Sequence, residues 1–367
     1  MKKKNFICIF PQGKNIHLIK DVGMIPYFLY KGDYYSSTIA FYEEKSKLPY
    51  LESEVNGLKY REMKKYTKYE GVNILLFLII NYRKYDIVML LHEGNMKFIA
   101  AFIIKFLSFN RVKFYFKLDM NSLIINNKFN KKSLIFKLKK KLIKYVGLIT
   151  VESKRLNYYL NNESYLSTNY LPNGSIVKSD ISFNKENLII TVGRLGAKEK
   201  DIKVFLKALE RIDLNNWKVK LIGPISENII NEIEKIYFNN PSLKEKIIFT
   251  GNISDRVKLE EEYSKAKVFV LTSNSEGFPL VLPEAIANGC YVVMTDLAPA
   301  YDITNNQEFG SVFKIGDSKK LSCILQDIID GKITLPNSEN IRNFARCNFD
   351  WNVISKKLYE YLENKEY

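Results

Sequence analysis

Val268-Phe269-Val270-Leu271-Thr272-Ser273-Asn274-Ser275-Glu276-Gly277-Phe278-Pro279-Leu280-Val281-Leu282-Pro283-Glu284-Ala285 is the stretch that decides the fold. Residues 268–271 form an apolar run of strand length, residues 280–289 read as a helix, and residues 291–295 form a second strand. A strand, a loop, a helix and a strand in that order make a βαβ unit with parallel strands. Two glutamates, Glu276 and Glu284, stand on either side of the loop-to-helix junction. Unpaired N–H groups and a positive dipole end at a helix start suit a phosphate. Flanking carboxylates repel phosphate but accept hydrogen bonds from hydroxyls. Together they suit a ligand that carries both phosphates and sugars.

The same alternation extends outward. In the second half, strands are expected at 188–192, 219–222 and 247–250, with helices about 201–212, 226–238, 256–266 and 318–330. In the first half, strands are expected at 6–10, 87–91, 112–118 and 148–151, with helices about 69–82, 95–108 and 131–145. Tyr170-Leu171-Pro172-Asn173-Gly174 is a turn signal and marks a boundary. The expected class is α/β, with two Rossmann-like doubly wound domains, 1–172 and 173–348, facing across a cleft. Ligands of such sheets bind outside the carboxyl ends of the strands. The last segment, 349–367, opens with Phe349-Asp350-Trp351-Asn352 and continues as an amphipathic helix. That helix either crosses back to the first domain or caps the second.

A chain of 367 residues exceeds one ordinary core, and 46% apolar with 26% charged residues reads as globular. Charge is unevenly placed. Residues 1–172 hold 30 Lys+Arg against 13 Asp+Glu, a net of +17, and the remainder holds 26 against 27. An anionic partner for the first half is expected. With no zinc-finger spacing, RNP-like motif or recognition helix, nucleic acid is not expected. An anionic membrane surface fits instead. Cys8, Cys290, Cys323 and Cys347 form no C-x-x-C, which suggests reduced thiols of a cytoplasmic protein. With His17 and His92 the only histidines, no metal site is expected. Met1-Lys2-Lys3-Lys4 runs into a strand-length apolar segment with no cleavage region, so secretion is not expected. The apolar runs 74–80 and 98–109 are too short to span a bilayer and are expected as buried helices. From Lys128 to Lys144 lysines alternate with Leu134, Leu138 and Leu142 at helical spacing. Such a helix lies on a membrane or packs its apolar stripe on its own sheet with the lysines outward.

Three strands of the second half end in glycine: Val192-Gly193-Arg194-Leu195, Ile222-Gly223-Pro224 and Phe249-Thr250-Gly251-Asn252. Each glycine alone is an ordinary turn. Gly193 also permits close backbone approach to a ligand, and Arg194 can grip phosphate oxygens in bidentate fashion. Lys198 and Lys200 add charge to the same loop. These pieces, with residues 273–284, resemble the retaining GT-B glycosyltransferases of the large "group 1" family, which move a sugar from a nucleotide-sugar to an acceptor. The likeness covers about residues 170–296 plus the Phe349-Trp351 signature.

That resemblance implies roles. Arg194 and Lys200 would bind the diphosphate and stabilise it as leaving group. Lys200, not Lys198, takes the family lysine's place because the loop is one residue longer than the commonest form. Glu284 would hold the ribose, and Glu276 would lie by the transferred sugar near Ser273. The backbone of Gly277, Phe278, Pro279, Leu280 and Val281 would bind sugar hydroxyls and the distal phosphate. Gly193, Gly223, Pro224, Gly251 and Asn252 would complete the donor site, with the base by the loop after Gly251. Preplaced cations and helix-start N–H groups stabilise charge where it develops, so neither metal nor other cofactor is expected.

In the first half, Gly13 of Phe10-Pro11-Gln12-Gly13-Lys14, His92 after one strand and Asp119 after another are acceptor or cleft candidates, with a structural loop histidine as the other reading of His92. Residues 17–27 look like members that build capsules, O-antigens and other surface polysaccharides. The expected enzyme is a retaining hexosyl- or N-acetylhexosaminyltransferase. Its donor would be a UDP-sugar by family frequency, and its acceptor a lipid-linked or other glycan. It would sit on the inner face of the cell membrane. The alternative is a GT-B synthase or phosphorylase acting on a soluble sugar.

Overall fold

The computed structural model describes residues 3–43, 47–120, 140–164, 166–178 and 184–364. The chain forms two compact units, Met1–Asn173 with Trp351–Tyr367, and Gly174–Asp350.

The first unit is built on β1 (Asn5–Ile9), β2 (Ser36–Tyr42), β3 (Lys59–Met63), β4 (Ile87–Leu91), β5 (Lys113–Leu118), β6 (Leu148–Val151) and β7 (Asn169–Tyr170). They pair in parallel in the order β3-β2-β1-β4-β5-β6-β7. Period-2 alternation sends Phe6 and Cys8 of β1 into one apolar cluster and Ile7 and Ile9 into another. A sheet covered on both faces therefore reads as a nearly continuous apolar run.

The second unit uses β8 (Glu186–Val192), β9 (Lys218–Ile222), β10 (Ile247–Gly251), β11 (Ala266–Leu271), β12 (Tyr291–Thr295) and β13 (Gly310–Phe313). Their order is β10-β9-β8-β11-β12-β13, again parallel throughout. In each sheet the order reverses beside the unit's first strand, between β1 and β4 and between β8 and β11. Doubly wound sheets bind ligands outside the carboxyl ends at that place.

The three glycine-ended strands of the second unit are tied there by main-chain bonds. Gly193 N–H donates to Ile222 O at 2.9 Å, and Gly223 N–H donates to Gly251 O at 2.8 Å. Gly223 has φ +136°, and a β-carbon on it would stand 1.8 Å from Gly193 O. The approach of these loops requires glycine at 223.

The helix Trp351–Glu363 packs in the first unit. Trp351, Ile354, Leu358 and Leu362 form one stripe of that unit's core. Trp351 stacks on Phe28 with centroids 6.5 Å apart, and Tyr359 on Tyr34 at 4.7 Å. Tyr35 OH donates to Glu363 Oε1 at 2.7 Å. Phe349 and Asp350 remain with the second unit, where Ser175 N–H donates to Phe349 O at 2.9 Å and Val177 N–H to Asp350 Oδ2 at 3.1 Å.

Several elements lay outside the sequence expectations. β3 is a polar edge strand, KYREM, and β13 is four residues long, so neither shows a marked apolar run. The helix Ser338–Phe349 is mostly polar and carries its packing on Ile341, Ala345 and Phe349. The helices Glu70–Asn81 and Asn95–Leu107 were expected to be buried but are not wholly so. Ile80, Phe106 and the following Phe109 are 68%, 77% and 94% exposed. Apolar composition around the whole helix concealed which face meets the sheet. Most of the lysine run after Lys128 lies outside the described residues, including Leu134 and Leu138. Among the described residues no helix is long and apolar enough to cross a membrane.

Trp351→Ala should cost about 3–5 kcal/mol. Hydrogen exchange should then rise across Trp351–Glu363 and β1 while β8 to β13 keep their protection. Gly223→Ala should destabilise the second unit by about 1–3 kcal/mol, read as an earlier thermal transition of that unit.

Candidate active site

The loop after β8 and the segment after β11 meet at the reversal of the second sheet. After Arg194 the chain makes a 3-10 turn, Lys198–Lys200, and leaves it through Asp201 in the left-handed conformation, φ 41°. This turn is docked on the β11 segment. Asn274 N–H donates to Glu199 O at 2.9 Å, Asn274 Nδ2 to Lys198 O at 3.1 Å, and Thr272 Oγ1 to Lys200 O at 3.0 Å. With its backbone fixed, Lys200 points at Glu276, and Nζ lies 2.7 Å from Oε1. Buried Ser273 donates its hydroxyl to the same Oε1, and its carbonyl accepts from Thr295 Oγ1 at 2.6 Å. Lys198 contributes its carbonyl to the docking.

The two cations of this loop are held differently. Arg194 pairs with Glu199, and their side chains are 74% and 37% exposed. A pair so open to water is worth about 0–1 kcal/mol, so an incoming phosphate can replace Glu199 at little cost. The Lys200 and Glu276 side chains are only 17% and 16% exposed, so their pairing is screened less.

Glu284 sits in the first turn of the helix Val281–Ala287, and both of its oxygens are held. Oε1 accepts from Arg256 at 3.0 Å and Oε2 from the hydroxyl of Tyr263 at 3.2 Å. Tyr263 is 2% exposed. Burial, and then the Glu284 carboxylate, push its hydroxyl well above the usual tyrosine range, so it stays a donor. The Glu284 carboxylate is therefore oriented by the protein itself. Of residues 277–281, Phe278 is buried and its ring lies 6.1 Å from that of Phe349. Pro279 has no N–H, so the expected row of amide donors is interrupted there. Gly251, at φ +69°, and the exposed Asn252 and Pro224 lie at the ends of the neighbouring strands.

In the first unit, His92 and Asp119 follow adjacent strands, β4 and β5, at the carboxyl edge. Gly13 is different. It is buried, its N–H is spent on Phe10 O at 2.9 Å, and a β-carbon there would meet Phe41 at 2.1 Å.

Sequence reasoning missed Glu199, Asn274, Arg256 and Tyr263 in the second unit, and Asp21, Lys117 and Glu152 in the first. Asn274, two residues before Glu276, and Glu199, five residues after Arg194 in the same loop, were within reach of a local reading. The others are joined to their partners only by packing. Among the described residues no group of three or more His, Cys, Asp or Glu is placed to hold a metal ion.

Residues 175–347 match the family described as Glycosyl transferases group 1. The Campylobacter jejuni GalNAc-alpha-(1->4)-GalNAc-alpha-(1->3)-diNAcBac-PP-undecaprenol alpha-1,4-N-acetyl-D-galactosaminyltransferase is 31% identical over 159 residues, 41% of this chain and 42% of the relative. The Capsular polysaccharide biosynthesis glycosyltransferase CapM of Staphylococcus aureus is 28% identical over 184 residues, 49% of this chain and 46% of the relative. The chain thus spans less than half the length of these curated relatives. The solved structure of Anabaena Alr3699/HepE in complex with UDP has a TM-score of 0.73 at 15% identity, over 98% of this chain and 99% of that one, a likeness of fold. The family match spans nearly the whole second unit, and the fold is two parallel-sheet Rossmann-like units.

Proposed function

We propose that this chain is a retaining glycosyltransferase that moves a hexose or N-acetylhexosamine from a UDP-sugar to a lipid-linked or other glycan acceptor in surface polysaccharide synthesis. The observation that carries the reading is the set at the second sheet's reversal: an open cation, Arg194, with an exchangeable carboxylate partner, an enclosed one, Lys200, on Glu276, and a carboxylate, Glu284, already fixed on both oxygens. In this reading the bond between the anomeric carbon and the diphosphate oxygen breaks. A new bond forms from that carbon to an acceptor hydroxyl oxygen, and the hydroxyl proton passes to the leaving diphosphate. Negative charge grows on the diphosphate during the first event. Arg194 and Lys200 stabilise it there, each worth on the order of 10²–10³ in rate. No metal is assigned, because these two cations fill the role a metal would serve.

Glu284 receives the ribose hydroxyls, and its orientation by Arg256 and Tyr263 means that binding does not have to order it. Glu276, released from Lys200, faces the transferred sugar. His92 and Asp119 are assigned to the acceptor. The names of the relatives, one acting on a PP-undecaprenol-linked sugar and one in capsular polysaccharide biosynthesis, support the choice of acceptor. The excess of basic residues in the first half supports a peripheral position on an anionic membrane at the inner face of the cell.

Melting the protein with UDP-glucose, UDP-galactose, UDP-N-acetylglucosamine, UDP-N-acetylgalactosamine and GDP-mannose names the donor. A ligand at 100 times its Kd adds about 2.7 kcal/mol. If no donor raises the melting temperature and none is turned over, the reading fails. Arg194→Ala and Glu284→Ala should each remove most nucleotide release. Tyr263→Phe, which leaves Glu284 Oε2 without its donor, should raise the donor KM about tenfold with a smaller effect on kcat.

A further inference from the structure

Lys117 is the penultimate residue of β5, and its side chain is fully buried. A buried ammonium is costly unless it is paired. Two carboxyl groups meet it. Asp21, the first residue of the helix Asp21–Lys31, places Oδ2 3.1 Å from Nζ, and Glu152, directly after β6, pairs through Oε1. Burial works against the charge on Lys117, but Glu152, Asp21 and Tyr115 outweigh it and hold the ammonium protonated. One cation between two carboxyls leaves a surplus of negative charge. Glu152 absorbs it. Burial first, with Asp119 and Asp21 adding to it against Lys117, pushes this carboxyl up to about 8. Its second oxygen, Oε2, has no hydrogen-bond partner among the described residues although Glu152 is 3% exposed.

This clamp adjoins the two candidates of the first unit. His92 N–H donates to Lys117 O at 2.9 Å, and Asp119 is two residues beyond Lys117. His92 has φ 56°, a left-handed conformation that costs a side-chain-bearing residue on the order of 1–2 kcal/mol. Such strain persists where the surroundings enforce it. The imidazole keeps an exposed edge, yet crowding by neighbouring atoms is the largest influence on it and lowers its proton affinity. Asp119 and Asp21 oppose this, and Lys97 and Lys117 reinforce it. The ring of Phe10 lies 6.2 Å away, and Lys97 is itself held by Leu91 O and Glu70, each at 2.9 Å.

We propose that Lys117, clamped between Asp21 and Glu152, is a positioning residue that holds His92 and Asp119 as a pair receiving a hydroxyl group at the reversal of the first sheet. This rests on the glycosyltransferase reading for the identity of that hydroxyl, an acceptor's. Asp21 and Glu152 enclose the fully buried ammonium and leave it closed to phosphate, so the first unit's site does not duplicate the second unit's. Asp119 accepts the hydroxyl hydrogen, and the uncharged imidazole offers one donor and one acceptor nitrogen.

The test is proton NMR on the full chain, which has two histidines, with His17→Gln assigning the pair. His92 should titrate below the ordinary histidine range. Lys117→Met removes a repelling cation and should move that titration up. Asp21→Asn removes an attracting carboxylate and should move it down. General loosening would hydrate the ring and move both variants up, so opposite signs support the clamp. Shifts of the same sign, or no shift in either variant, overturn it, and Asp21→Asn decides the matter if Lys117→Met does not fold. Donor-induced melting shifts on the same samples depend on the second unit. Their absence in the unaltered chain sinks the glycosyltransferase reading and leaves the histidine result standing.

Glu152 adds a pH signature. Folded, it keeps its proton up to about 8, against 4.5 ordinarily. Between these values the folded chain binds more protons than the unfolded one, so the Glu152 contribution to stability falls as pH rises. Glu152→Gln removes that fall. The unaltered chain should lose stability relative to the variant across this window, and parallel curves would overturn the assignment of the surplus proton to Glu152.

Discussion

The second unit depends on a close approach that admits no side chain. The carbonyl of Gly193 lies where a β-carbon on residue 223 would have to be, and the amides of Gly193 and Gly223 close bonds to Ile222 and Gly251. These contacts draw the ends of β8, β9 and β10 into one rim. With the rim closed, the loop after Gly193 is held on the segment after β9, where Ser226 N–H donates to Leu195 O at 3.1 Å, and then crosses to the segment after β11. There Asn274 and Thr272 fix its backbone. The position of Lys200, and so its pairing with Glu276, follows from that docking more than from any property of the lysine.

What the site can do follows from how firmly each charged group is held. Arg194 is loosely partnered in water, Lys200 is enclosed with one carboxylate, and Glu284 is fixed at both oxygens. A group that must meet a ligand's ribose in one geometry gains from rigidity, because binding then costs less ordering. A cation that must follow charge as it moves onto a leaving group needs partners it can exchange. The gradation from rigid to exchangeable along one rim matches a ligand with a ribose end and a phosphate centre.

The sequence made the framework legible because framework signals are local. Apolar runs of strand length, glycines directly after them and helical periodicity locate most strands within one or two residues. Failures came where an element's stability is not local. β3 is polar because only one neighbour strand covers it, and β2 opens with Ser-Ser-Thr yet is buried. The site divides in the same way. Arg194, Lys200, Glu276 and Glu284 announce themselves by type and spacing. Their partners Tyr263 and Arg256, and the Lys117 clamp, arise from elements far apart in the chain. A lysine inside an apolar strand was the one local sign of the clamp. In Lys113–Leu118 it reads FYFKL after the first residue, a cation at a position the alternation assigns to the interior.

The two sheets share an order of strands, and their reversal points are electrostatic opposites. In the second unit Arg194 stands at the surface with an exchangeable carboxylate partner, and Lys200 is enclosed against Glu276. In the first the cation is sunk completely and carboxylates lie over and around it. Topology alone therefore does not set which ligand a doubly wound sheet receives. It supplies a crevice with main-chain groups at its rim, and the depth at which the charge is placed supplies the selectivity. An exposed cation attracts phosphate. A buried one, outnumbered by carboxyl groups, cannot, but it can hold those groups in position for a neutral polar partner. On the proposed reading, one fold serves a phosphate in the second unit and a hydroxyl in the first by inverting the order of charge.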